Sequence, residues 1–116
     1  VKANLFYRGL MLRRPVFIGD TLRTVTKVVA LRQNAPRPGR EATGLVALEI
    51  ESTNQDGETA LRFWRCPMIP CRDPNARTGC DDSLDAIPEK IPSGDLLDAV
   101  PTDWRLGSAR TASGLI

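Results

Sequence analysis

Hydrophobic and polar positions alternate between Thr43 and Thr53: Val46, Leu48 and Ile50 fall on one side of an extended chain, Ala47, Glu49 and Glu51 on the other. This two-residue period predicts a half-buried β-strand. Asn54-Gln55-Asp56-Gly57 then supplies a turn, its Asp-Gly pair favouring positive φ, and Glu58 to Met68 returns as a partner strand carrying Phe63 and Trp64. Upstream, Leu5 to Leu12 is apolar enough to predict a strand buried on both faces, closed at Pro15 because proline gives up a ladder donor. Gly19-Asp20 predicts a second turn, and the β-branched run from Thr21 to Leu31 a long strand that pairs back on the first. Antiparallel sheet is therefore expected over the first two thirds of the 116 residues.

Beyond Cys66 the pattern dissolves. Six of the nine prolines lie between Pro67 and Pro101, among Asp-rich spacers with little periodicity, which is linker composition. Short helical turns are expected only at Asp81 to Ala86 and at Ser93 to Ala99, the second with Ser93 as N-cap and Asp95 in its first turn. Thr102 to Leu106, with Trp104, reads as the approach to another domain. The part able to bury apolar surface is thus only about 70 residues, marginal for independent stability, and a partner or further chain is expected.

Charge divides the chain at the same place. Up to Cys66, Lys and Arg outnumber Asp and Glu by 11 to 6; afterwards the acids lead by 8 to 5. The basic half could attract a phosphorylated ligand, or simply carry charge on outward strand faces, while the acidic half reads as a solvated connector. Two prolines and a glycine make Asn34 to Arg40 an exposed basic loop, with Arg37 and Arg40 as candidates for anion contact. Arg13 and Arg14, at the end of the first strand, are the other candidates, since guanidinium binds phosphate in a bidentate manner. Asp20 is expected to bond its own backbone two residues on rather than a ligand.

Other chemistries are narrowed by absence. The chain has no histidine, and Cys66, Cys71 and Cys80, spaced by five and nine, form no zinc-ribbon pattern, so they are expected to be reduced and structural, with no metal site. No apolar stretch approaches the roughly 20 residues that span a bilayer, and a cytoplasmic protein without membrane partners is expected. The aromatics do not interleave with the basic residues as a nucleic-acid stacking platform requires, so no nucleic-acid partner is expected.

Arg14-Pro15-Val16-Phe17-Ile18-Gly19-Asp20-Thr21-Leu22, followed by a long strand, the basic loop, Gly44-Leu45-Val46 and Thr53-Asn54-Gln55-Asp56-Gly57-Glu58, resembles the C-terminal half of a hotdog domain in MaoC-like acyl dehydratases. Arg37-Pro38-Gly39-Arg40 and Phe63-Trp64-Arg65-Cys66 look most like the first repeat of double-hotdog members. The resemblance covers about Ala3 to Ile69. It implies an α+β fold represented here mainly by β: a partial hotdog, with a curved antiparallel sheet of about four strands, its central helix missing, and then an irregular Pro-rich linker. Residues 1–69 would be the C-terminal part of a hotdog domain and 70–116 an interdomain linker toward a second repeat.

The resemblance also implies an activity in fatty acid metabolism: reversible hydration of 2-enoyl-CoA, or dehydration of 3-hydroxyacyl-CoA, with an acyl-CoA thioester as substrate and no separate cofactor. Such chemistry needs an acid/base pair near the reacting carbons and donors on the thioester oxygen. In the family an Asp and a His within Asp-x-Asn-Pro-x-His serve, and neither that motif nor any His is present. No catalytic residue is assigned, and this chain alone is expected to be inactive. Either the chain is a fragment whose dyad lies elsewhere, or it is a catalytically silent hotdog subunit or repeat supporting a partner's acyl-CoA site. A thioesterase on the same fold is the third reading, and a second hotdog repeat or a homo-oligomer is the expected protein partner.

Overall fold

The computed structural model describes residues 1–100 and Thr102. Strands β1 (Ala3–Leu12), β2 (Arg23–Gln33), β3 (Thr43–Thr53) and β4 (Thr59–Pro70) form one antiparallel sheet in the order β1-β4-β3-β2. Helix α1 (Ser93–Asp98) follows. The predicted hairpin is β3 and β4, in register from Leu45 opposite Met68 to Ser52 opposite Leu61. Its turn is held by Asn54, whose Oδ1 accepts the Asp56 and Glu58 amides at 3.0 Å each, and Gly57 alone takes a positive φ, 76°.

The predicted pairing of the first two strands is not formed. β1 pairs with β4 and β2 with β3, so β1 and β2 lie on opposite edges of the sheet. Residues 13–22 are too long for a tight hairpin, and they must cross the end of the sheet, about 14 Å at normal strand spacing. Within this crossing, the Asp20 amide donates to the Phe17 carbonyl at 3.0 Å, and Gly19 has a φ of 98°.

Asp20 organises the crossing through backbone, but three residues back rather than two residues on: its carboxylate accepts the Phe17 amide at 2.9 Å, and also the Gln55 side-chain amide at 3.0 Å. Those donors, the backbone one foremost, hold its carboxyl below the ordinary value of 3.8. A depressed folded-state pKa adds stability above the unfolded pKa, lost as pH falls through the folded value. The Phe17 amide resonance is therefore expected to titrate with a midpoint below 3.8 and to stay flat in Asp20→Asn over the same range.

The register sorts side chains into two faces. One carries Phe6, Trp64, Cys66, Leu45, Ala47 and Ala30; the other carries Tyr7, Phe63, Val46, Leu48, Ile50 and Val28. Val46, Leu48 and Ile50 do lie opposite Ala47, yet full burial is on the Ala47 side. There Ala30, Ala47 and Cys66 pack with Leu84 and Ile87, each under 9% exposed, while Val46, Leu48 and Ile50 are only half-buried. The expected double burial of β1 is not found either: Leu5, Leu10 and Leu12 are 58%, 54% and 76% exposed. β1 is an edge strand, and the described residues cover only part of one face. Register breaks, two between β1 and β4 and one in each other pair, bend the sheet.

Leu84 and Ile87 belong to the proline-rich segment, which is irregular, as expected, but bound to the sheet rather than solvated along its length. The Gln33 amide donates to the Cys80 carbonyl at 2.9 Å, and the Asp82 amide to the Leu31 carbonyl at 3.0 Å. Arg8 Nη1 reaches the Ile87 carbonyl at 3.1 Å. Residues 81–86 form no helix; a single turn closes where the Ile87 amide meets the Leu84 carbonyl at 3.1 Å. Helix α1 forms where expected, with Asp95 in its first turn, but Pro92 occupies the N-cap and no side chain caps it. Trp104 lies outside the described residues.

Candidate functional site

The basic loop between β2 and β3 faces residues 74–77 across a cleft of about 1010 Å³, with Lys2 and Met68 contributing to its wall. That volume is at the upper end of the range for small-molecule sites. Both walls are fixed by backbone bonds. Ala42 donates to the Pro74 carbonyl and Cys71 to the Ala42 carbonyl, each at 2.8 Å, and the Gln33 side-chain amide reaches the Ala76 carbonyl at 2.6 Å. Gln33 Oε1 also accepts the Thr78 amide at 2.7 Å. Within the loop, the Arg40 amide donates to the Arg37 carbonyl at 3.2 Å, a tight turn that Gly39 permits with a φ of 71°.

The charge lining this cleft is positive. Lys2 is paired with Glu41, whereas Arg37, Arg40 and Arg77 form no ion pair among the described residues. Three guanidiniums without carboxylate partners around one concavity suit a phosphorylated ligand. Arg37 and Arg40 were legible as candidates from their Pro/Gly loop. Lys2 and Arg77 were not, because only the folded chain brings its first residues and the proline-rich segment to that loop.

The structure does not bring Arg13 and Arg14 to the same place. They follow the far end of β1, separated from Lys2 by the whole strand, about 33 Å. Arg14 is paired with Glu58, and Arg13 lies 3.6 Å from Asp95 of α1. Their charges are matched within the fold.

No cluster of three or more His, Cys, Asp or Glu side chains able to hold a metal is found among the described residues. The three cysteines are free thiols. Cys66 is fully buried, and burial pushes its thiol pKa up, against the smaller opposing influence of Arg8 and Arg32. It is an inert part of the packing.

No family model matches the chain. It is 38% identical over 94 residues to the beta-methylmalyl-CoA dehydratase of Chloroflexus aurantiacus, which covers 81% of this chain and 25% of that protein. It is 38% identical over 71 residues to the mesaconyl-CoA hydratase of Cereibacter sphaeroides, covering 61% of this chain and 20% of that protein. Among solved structures, it matches a conserved hypothetical protein of Mycobacterium tuberculosis described as having a double hotdog fold, with a TM-score of 0.70 and 45% identity over 79% of this chain and 28% of that one. A MaoC domain protein dehydratase from Chloroflexus aurantiacus matches with a TM-score of 0.67 and 37% identity, over 81% of this chain and 25% of that one. The chain thus spans between a fifth and a quarter of the curated relatives' length.

Proposed function

We propose that this chain, which belongs to the MaoC-like hotdog proteins, supplies sheet and a phosphate-binding cleft to an enzyme that hydrates 2-enoyl-CoA or dehydrates 3-hydroxyacyl-CoA thioesters. The observation that carries this reading is the cleft itself. Coenzyme A presents a pyrophosphate and a ribose phosphate, and Arg37, Arg40 and Arg77 line one concavity without acidic partners. Phosphate contact is assigned to Arg37 and Arg40. Arg13 and Arg14 are assigned to holding α1 and the start of β4, since Asp95 and Glu58 already match them.

Hydration itself needs a group to deliver and remove protons at the reacting carbons and donors that hold charge developing on the thioester oxygen. The chain has no histidine, and the one carboxylate at the cleft, Glu41, is tied to Lys2. The proton-transfer groups are therefore assigned outside this chain, which binds the CoA end of the substrate and is inactive alone. A second reading, a non-catalytic hotdog subunit or repeat that supports a partner's acyl-CoA site, is favoured by the same lack of histidine. Either role calls for a second hotdog unit.

CoA binding to the chain, measured by calorimetry, tests the cleft. Arg37→Glu with Arg40→Glu is expected to raise Kd on the order of 10²- to 10⁴-fold, from the loss of charge-assisted hydrogen bonds worth about 1.5–3 kcal/mol each. Arg14→Glu should leave Kd unchanged. Equal loss in both, or none in the first, overturns the assignment. In the whole protein, loss of enoyl-thioester absorbance separates the enzymatic reading from the supporting one.

A further inference from the structure

We infer that Gln33 is a positioning residue of the cleft, and that its side-chain amide holds Arg77 where that guanidinium meets a phosphate of the ligand together with Arg37 and Arg40. The inference rests on the proposed binding of CoA in the cleft. It adds a third phosphate contact and the group that fixes it.

Arg77 needs such a hold. Pro74, Asn75, Arg77, Thr78 and Gly79 are exposed and Ala76 is only half-buried, so no buried apolar side chain anchors this wall. Arg77 itself forms no ion pair among the described residues. A guanidinium on a loose segment loses backbone and side-chain freedom when it closes on an anion, and that loss is subtracted from affinity.

Hydrogen bonds do what packing does not. At the near end of the wall, Ala42 donates to the Pro74 carbonyl at 2.8 Å, and Asp73 turns the chain by accepting the Asn75 amide on Oδ1 at 2.9 Å and the Ala76 amide on its carbonyl at 3.1 Å. At the far end the bonds converge on Gln33. Its Nε2 donates to the Ala76 carbonyl at 2.6 Å, and its Oε1 accepts the Thr78 amide at 2.7 Å and the Thr78 hydroxyl at 2.8 Å. Thr78 Oγ1 accepts the Cys80 amide at 3.2 Å, and the Cys80 carbonyl accepts the Gln33 amide at 2.9 Å. The residues on either side of Arg77 are thus tied to one side chain.

That side chain sits at the junction of both walls. Gln33 is the last residue of β2, and the chain leaving it is the loop that bears Arg37 and Arg40. A primary amide suits the position because it donates to a carbonyl and accepts an amide at once, which neither a carboxylate nor a thioether of similar length can do. Gln33 therefore sets Arg77 in register with the loop arginines before a ligand arrives, and does so without carrying charge.

Calorimetric titration of the chain with CoA tests the assignment. Gln33→Met, which keeps the length and removes the hydrogen bonds, is expected to raise Kd about 5- to 20-fold. In an Arg77→Ala background the same substitution should change Kd by less than about twofold, whereas in Arg37→Ala its full effect should persist. Gln33→Met should also weaken the salt dependence of Kd as Arg77→Ala does, although it removes no charge. Dispersed amide spectra establish folding, and Thr78→Val, at an exposed site, supplies a second variant with a smaller loss that also vanishes in Arg77→Ala. An unchanged Kd in folded Gln33→Met, or an equal loss with and without Arg77, overturns the assignment and leaves the cleft reading standing. Absence of CoA binding by the unaltered chain overturns both.

Discussion

Gly9→Ala is expected to lower the stability of the sheet by about 2–5 kcal/mol. Gly9 has a φ of 62°, and a Cβ there would lie 2.8 Å from Trp64 Cζ3 and 3.0 Å from Cε3. Two costs combine: about 1–2 kcal/mol for a left-handed residue with a side chain, and about 1–3 kcal/mol for forcing atoms into a filled site. The indole cannot easily retreat, because Arg62 lies over it at 5.1 Å and the buried cluster packs beside it. Urea denaturation should show the loss as a lower midpoint. Gly19→Ala is the control: its φ is 98° but nothing lies within 4 Å of the added carbon, so only the conformational part remains. Trp64→Leu should restore most of the packing part in Gly9→Ala; equal losses at Gly9 and Gly19 would show that the Trp64 contact does not matter.

Ile87→Ala is expected to cost about 2–4 kcal/mol and to lift the proline-rich segment off the sheet. Ile87 is 6% exposed and, with Leu84, covers Ala30, Ala47 and Cys66, residues too small to fill the space themselves. The readout is chemical. Cys66 is 0% exposed with its thiol pKa held up by burial, so uncovering it should lower that pKa and speed its alkylation, while the partly exposed Cys71 and Cys80 serve as internal references. Unchanged Cys66 protection in a folded Ile87→Ala protein would mean that the cover does not depend on this side chain.

The hairpin of β3 and β4 was legible because its determinants are local: alternation, an Asx turn and one glycine all lie within consecutive residues. The partner of β1 was not. Apolar content identified a strand, but the choice between β2 and β4 depends on a ten-residue crossing and on the packing of Gly9 under Trp64, neither of which has a local signature. Docking of the proline-rich segment escaped for a similar reason, since Leu84 and Ile87 are isolated apolar residues among acids, with no period to mark a buried face. At the cleft, composition marked Arg37 and Arg40, whereas Arg13 and Arg14 looked equally available until α1 and the β4 end supplied their acids. The fold class followed from the family resemblance.

The strand order carries a consequence for how the chain acquires its structure during synthesis. β2, β3 and β4 form an unbroken meander whose connections are short, so each can pair as soon as it emerges. β1 is made before the other three yet must wait for β4, because its partners there lie about 50 to 65 residues further on and closing so long a loop costs entropy. Until then its apolar run lacks its partner in this sheet. The seating of Gly9 beneath Trp64 thus marks the joining of β1 to the other three strands, and a ribosome pause before β4 would expose β1 to chaperones for as long as it lasts.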